Sequence, residues 1–237
     1  MRAIILAGGK GTRLRPFTAT IPKPLVPIGD MAIMDVLLRR LVACGCERAT
    51  VAVGHLAQLI MAYYGDGATW GLALDYCLEE RPLSTIGPLT LIRDLPDDFL
   101  VMNGDLLTDL DFGEFFRAHV ESGAVGTVAV KSRDVAIDFG VLGYDEATRR
   151  LTSFAEKPRE SFSVSMGIYA FSKRVMDLVP HGRAFGFDEL MLACLAKGRD
   201  VRAYPYDGYW LDIGRPDDYE QANRDFPGMR ARLLGEN

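Results

Sequence analysis

An apolar run, Ala3 to Ala7, leads directly into three closely spaced glycines, Gly8, Gly9 and Gly11. Arg13, Arg15 and Lys23 follow within a few residues, the last held in a rigid Pro22-Lys23-Pro24. Glycines let a backbone approach a ligand closely and present bare N–H groups. Cations beside such a turn are what a polyphosphate needs. The turn is neither a P-loop, because Lys10 is followed by Gly11 at the wrong spacing, nor a dinucleotide fingerprint, because Leu14 stands where a third glycine belongs. Pro16, Pro22, Pro24 and Pro27 forbid a helix immediately afterwards. The reading is a long phosphate-binding loop after the first strand.

Two aspartates complete a candidate charge centre. Residues 98–105 read D-F-L-V-M-N-G-D, a buried strand that ends at Asn103-Gly104-Asp105. Ligands of open α/β sheets sit at the carboxyl ends of strands, which puts Asp105 at the same edge as the glycine loop. Residues 208–214 read G-Y-W-L-D-I-G, so Asp212 also follows a short apolar run and precedes a turn. Arg215-Pro216-Asp217-Asp218 is the better helix cap, which leaves Asp212 free. Magnesium (Mg2+) needs only one or two carboxylates besides phosphates and water, and this pair could supply them. Further along, F-A-E-K-P carries Glu156, able to accept from adjacent hydroxyls, and Lys157, able to meet a phosphate. Gly140 and Gly167 allow a ligand against the backbone. By spacing alone these four are as consistent with surface as with a sugar pocket.

The elements that must position these groups alternate. Strands are expected at 2–6, 49–53, 72–77 and 98–102, with helices at 32–44, 56–64 and 111–121. This is the pattern of a mostly parallel, Rossmann-like central sheet flanked by helices. After residue 123, strands at 124–131, 139–144, 149–156 and 163–171 predict a mixed or antiparallel extension laid over the first half. Helices near 172–178 and 187–197, a strand at 201–206 and a last helix at 215–225 complete the chain. The expectation is one domain over 1–237: a nucleotide half (1–122), a substrate half that binds the sugar phosphate (123–225) and a tail (226–237), with the residues from Arg224 to Asn237 partly loose.

The chain has 237 residues, 49% hydrophobic and 25% charged, with net charge −5. This is a globular composition, and the acidic balance argues against general nucleic-acid binding. No apolar run approaches the ~20 residues that span a bilayer, and no signal pattern follows the first strand, so a cytoplasmic protein without membrane partners is expected. Cys44, Cys46, Cys77 and Cys194 have no redox or metal spacing, and His55, His119 and His181 are isolated. Chemistry based on histidine or cysteine is poorly supported.

Together the blocks L-A-G-G-K-G-T-R-L-R-P, P-K-P-L-V-P-I, N-G-D, E-K-P, S-M-G-I-Y and W-L-D-I-G-R-P-D-D-Y resemble, in order, the sugar-1-phosphate nucleotidylyltransferases (NDP-sugar pyrophosphorylases). The resemblance runs from residue 1 to about 225 and is greatest to the bacterial mannose-1-phosphate guanylyltransferase-like branch. It implies a nucleotide-diphospho-sugar transferase fold with a mixed-sheet sugar-binding extension. It also implies NTP and sugar 1-phosphate as substrates and roles for matching positions. The turn formed by Leu6, Ala7, Gly8, Gly9, Gly11 and Thr12 would hold base, ribose and phosphates, together with Asn103. Arg13 would grip the triphosphate, Lys23 the sugar phosphate, and Asp105 and Asp212 magnesium. Gly140, Glu156, Lys157 and Gly167 would line the sugar pocket. Members of this branch usually read P-L-G-T-A-G near the base, whereas this chain has Pro82-Leu83-Ser84-Thr85-Ile86-Gly87, with Ser84 and Gly87 at the nucleotide. Glu79, just before, can accept from the N1–H and N2–H₂ edge of guanine, which favours GTP; a solvated strand-end charge is nearly as consistent. Many relatives are oligomers, so a homodimer is a further expectation.

Four other readings stay open. The same reaction could use UTP, dTTP or CTP with another sugar phosphate such as glucose 1-phosphate. A non-catalytic regulatory homologue would bind a nucleotide sugar without making one. A kinase or other NTPase is disfavoured by the missing P-loop. A cytidylyltransferase acting on a non-sugar alcohol phosphate is excluded only by the weaker E-K-P and S-M-G-I-Y blocks.

Overall fold

The computed structural model describes residues 1–236. Strand β1 (Arg2–Ala7) is apolar on both faces, as a central parallel strand must be. Three short 3-10 turns (Thr12–Leu14, Phe17–Ala19 and Lys23–Leu25) and the small hairpin β2 (Pro27–Ile28) and β3 (Met31–Ala32) follow it. The prolines thus delay the first α-helix until α1 (Ile33–Ala43), where the Asp35 side chain accepts the Ala32 N–H at 2.9 Å. Then come β4 (Arg48–Val53), α2 (Ala57–Tyr64), β5 (Ala73–Leu78), β6 (Asp98–Asn103), β7 (Leu106–Thr108) and α3 (Phe112–Ser122). The second half holds β8 (Gly126–Ala136), β9 (Val141–Tyr144), β10 (Leu151–Ala155), β11 (Arg159–Ser172), α4 (Phe187–Ala196), β12 (Val201–Pro205), β13 (Trp210–Asp212) and α5 (Pro216–Leu234).

Seven strands form one sheet in the order β12-β8-β11-β6-β1-β4-β5. β11 pairs antiparallel with both β6 and β8; the other neighbours pair in parallel, so β11 alone runs against the rest. Period-two alternation divides the core between the two faces. Ala3, Ile5, Leu100, Met102, Ile168 and Ala170 pack with α1, α2 and α3. Ile4, Phe99, Val101, Tyr169 and Phe171 pack with α4 on the other side. A third cluster seats α5 through Ala222, Phe226, Leu233 and Leu234 against Ile33, Val36 and Leu107.

Three expectations are corrected. The second-half strands do not form a layer over the first half: β8, β11 and β12 extend the same sheet from the edge of β6, because residues 166–171 of β11 keep the alternation that both faces require. Only the outer ends of β8 and β11 and the exposed β9–β10 hairpin project as an extension. The segment near 172–178 is a 3-10 turn, Lys173–Leu178. The residues from Arg224 on are not loose as far as Leu234. Pro227 and Gly228 read as a helix stop, but burial of Phe226, Leu233 and Leu234 outweighs the local cost, and α5 continues through them. Among the described residues no helix is long and apolar enough to cross a membrane.

Candidate active site

The carboxyl ends of β1 and β6 open into a cavity of about 410 Å³. Parallel pairing of Leu6 with Asn103 sets the two strand ends side by side, and the Gly104 N–H donates to the Leu6 carbonyl at 2.9 Å. Gly8 packs against Glu79: a Cβ there would lie 2.3 Å from Glu79 Oε1, so the carboxylate would have to shift to admit a side chain. Gly9 faces open space, and Gly11 adopts a left-handed φ of 59° while its carbonyl accepts from Thr18 Oγ1 at 2.7 Å. The turn then delivers Thr12 and Arg13 to the cavity wall.

Lys23 crosses this cavity to bond the Asp105 carboxylate through Nζ and Oδ2. The other oxygen, Asp105 Oδ1, is buried with no hydrogen-bond partner. Asp212 arrives from the far end of the chain by antiparallel pairing of β13 with β7, Asp212 opposite Leu106, and the Ile213 N–H donates to the Asp105 carbonyl at 3.2 Å. Burial, then the charge of Asp105, raises the Asp212 carboxyl above its ordinary value, against the opposing pull of Lys23 and Arg13. Two neighbouring carboxylates, one with an unpartnered buried oxygen, fit a divalent cation. Among the described residues no cluster of three or more His, Cys, Asp or Glu could hold a metal. The fit is therefore to an ion such as magnesium, which takes one or two carboxylates and completes its shell with phosphate and water oxygens.

At the other end of the cavity Glu79 Oε2 accepts the Leu83 N–H at 3.0 Å, and burial raises its carboxyl above the usual range. Glu79 thus supports the 82–87 loop with one oxygen and flanks Gly8 with the other. Ser84 lines the cavity in a left-handed conformation, φ 66°, where glycine is the unstrained residue. Ile86 is fully buried, so its extra bulk enters the core and not the cavity. Gly87 is buried as well and does not line the cavity; a Cβ there would meet the Arg183 carbonyl at 2.9 Å.

The fold brings Leu6, Ala7, Gly8, Gly9, Gly11, Thr12, Arg13, Lys23, Glu79, Ser84, Asn103 and Asp105 to this one cavity. Gly167 lies against its wall: it occupies a register shift in β11 at φ 71°, and a Cβ there would come 2.6 Å from Asn103 Nδ2. Gly140 and Glu156 are neighbours, with a Gly140 Cβ position 3.2 Å from Glu156 Oε2. They and Lys157 stand on the exposed extension, outside the cavity's lining. A second cavity of about 430 Å³ shares Arg13 and Gly214 with the first and adds Asp212, Trp210, Lys131, Arg133 and Arg215. Sequence reasoning missed Lys131 and Arg133; their i, i+2 spacing on one face of a strand was the available signal.

A glycine turn with cations, set at the carboxyl edge of a parallel sheet beside two neighbouring carboxylates, suits an anionic phosphate ligand. Comparison with known proteins agrees. The chain belongs to the nucleotidyl transferase family, which it matches over residues 2–227. It is 36% identical over 244 residues to a UTP–glucose-1-phosphate uridylyltransferase of Synechocystis sp., covering 94% of this chain and 63% of that protein. It is 31% identical over 229 residues to a mannose-1-phosphate guanylyltransferase of Mycobacterium tuberculosis, covering 94% of this chain and 64% of that protein. The chain therefore spans just under two thirds of the length of these relatives. Its fold matches the crystal structure of HddC from Yersinia pseudotuberculosis with a TM-score of 0.74 and 27% identity, covering 95% of this chain and 99% of the other. The same protein complexed with GMP-PN gives 0.71 and 26% over 95% and 99%.

Proposed function

We propose that this protein transfers a nucleotidyl group from an NTP to a sugar 1-phosphate, releasing pyrophosphate and forming an NDP-sugar. The observation that carries this reading is that Arg13 and the Lys23–Asp105 pair line one cavity with the glycine turn, while Asp212, in the wall of the adjoining cavity that shares Arg13, lies close enough to Asp105 to feel its charge.

The second pKa of a phosphate monoester is ~6, so the sugar phosphate already offers an anionic oxygen near neutral pH. The task left to the protein is to bring two anions together in line. The bare N–H groups of the 8–12 turn hold the phosphates, and Arg13 neutralises charge on the departing pyrophosphate. Lys23 sits between the two phosphate groups, where it lowers the repulsion that opposes attack. Magnesium, held by Asp105 and Asp212 when bound, would supply further charge neutralisation at the phosphates. Glu156, Lys157, Gly140 and Gly167 are proposed to contact the sugar, with the exposed extension covering it.

For the base, Glu79 at the far end of the cavity and the GMP-PN complex of the Yersinia protein favour GTP. For the sugar, the mycobacterial and other mannose-1-phosphate guanylyltransferases favour a manno-configured 1-phosphate, mannose or manno-heptose. The Synechocystis relative supports a second reading, UTP with glucose 1-phosphate. A cytoplasmic reaction fits the free cysteines. Initial rates of pyrophosphate release with each NTP against mannose 1-phosphate and glucose 1-phosphate test the choice. GTP with mannose 1-phosphate should be fastest; UTP with glucose 1-phosphate fastest would establish the second reading.

A further inference from the structure

The second cavity has a charge balance that a neutral sugar leaves unexplained. It is reached from the reaction centre, because Arg13 and Gly214 line both cavities and Asp212 lies in its wall. Lys131, Arg133 and Arg215 add three cations to Arg13. Among the described residues none of these three forms an ion pair. The Lys131 ammonium bonds only backbone carbonyls, those of Asp207 at 3.2 Å and Gly208 at 2.5 Å. The two carboxylates of the cavity do not balance them. Asp218 is engaged at the start of α5, where it accepts the Gly214 and Arg215 N–H groups at 3.2 and 2.8 Å, and Asp212 faces Asp105.

The contents of the wall point to the acceptor and not to the triphosphate. None of residues 6–12, which supply the bare N–H groups for phosphate, lines this cavity. Trp210 does, and its indole is fixed by a 2.9 Å hydrogen bond from Nε1 to the Met166 carbonyl. A fixed indole offers the C–H face of a sugar ring a flat apolar surface. An anomeric phosphate held by Lys23 where the two cavities meet at Gly214 would leave Lys131 and Arg133 facing the distal part of the sugar.

We infer that the acceptor is a sugar 1-phosphate bearing a second anionic group, a carboxylate or a further phosphate, which Lys131 and Arg133 recognise. This rests on the proposed reaction and refines its acceptor from a neutral sugar to a doubly anionic one. A hydrogen bond to a charged group contributes about 1.5–3 kcal/mol, so losing one such contact weakens binding roughly tenfold or more.

The test is calorimetric binding, which needs no turnover. The protein is titrated with mannose 1-phosphate, mannose 1,6-bisphosphate, glucuronate 1-phosphate and inorganic pyrophosphate, and the titrations are repeated with Arg133→Leu and Lys131→Met. The inference expects at least one of the two doubly anionic sugars to bind about tenfold or more tightly than mannose 1-phosphate. Which of them does so identifies carboxylate or phosphate. The preference should fall toward unity in Arg133→Leu. Equal binding of all three sugars, or a preference that survives both substitutions, overturns it. So does a loss confined to pyrophosphate, which would assign these cations to the leaving group. Parallel pyrophosphate-release assays separate the two claims: absent turnover with an intact binding preference removes the proposed reaction and keeps the site.

Discussion

The Lys23 ammonium bonds the Asp105 carboxylate, joining the proline-rich loop to the end of β6 across 82 residues of chain. Both side chains are largely enclosed, at 11% and 23% exposure, so the pair is a fixed part of the cavity and not a surface contact. In the proposed reaction it would tie the group that meets the sugar phosphate to a carboxylate that would hold magnesium. Lys23→Ala and Asp105→Ala should each lower turnover ~100-fold or more, as loss of other charge-stabilising contacts does. Steady-state pyrophosphate release checks this, and near-normal turnover in either variant would remove that residue from its role.

Asp212 should oppose stability while supporting function. Its carboxyl is raised by burial and by Asp105, so the folded protein holds this proton to higher pH than the unfolded chain. The group's contribution is therefore fully present below the unfolded value of 3.8 and is lost as pH rises through the folded one. Near neutral pH and without metal, Asp212→Asn should melt above the wild type and lose magnesium-dependent activity. Thermal melts with and without magnesium check it. A lower metal-free melting temperature would contradict the repulsion between the two carboxylates.

Ser84 holds a conformation that disfavours a side chain, φ 66°. Ser84→Gly should stabilise the protein by about 1 kcal/mol through relief of left-handed strain. The same change removes a side chain from the cavity wall and should tighten nucleotide binding. Chemical denaturation and nucleotide titration read the two effects separately, and a destabilised variant would show that the serine side chain contributes more than its strain costs.

His119 is buried with Nδ1 2.8 Å from Thr127 Oγ1 and Nε2 3.3 Å from Asp98 Oδ1. Burial outweighs the pull of Asp98, and with the repulsion of Arg174 it lowers the imidazole below its ordinary 6.5. The neutral ring then contributes stability present above 6.5 and lost as pH falls through the folded value. His119→Gln should flatten the acid side of the stability profile; an unchanged slope in urea unfolding below pH 6.5 would refute the assignment.

Much of the site was legible because its residues are local in sequence. The turn from Gly8 to Arg13 and the strand ending at Asp105 each carry their own signature, and the alternation of apolar runs pointed to parallel strands at β1, β4, β5 and β6, though not to their order in the sheet. The approach of Asp212 to Asp105 was not legible as geometry. It depends on β7 and β13, three residues each, too short for periodicity to resolve. The course of α5 past Pro227 was hidden for the opposite reason: local breaker signals are strong there, and only the tertiary burial of Phe226, Leu233 and Leu234 overrides them. Lys131 and Arg133 belong to no motif, and their meaning comes from the cavity that β8 and β13 enclose.

The central claim is tested most directly by pyrophosphate release with magnesium, across GTP, UTP, dTTP, CTP and ATP against a panel of neutral and acidic sugar 1-phosphates. Release that requires one NTP and one sugar phosphate together, with the NDP-sugar formed in equal amount, is the predicted result. No release from any pair, with nucleotide sugar still bound, would contradict it and identify a binding protein in place of a catalyst.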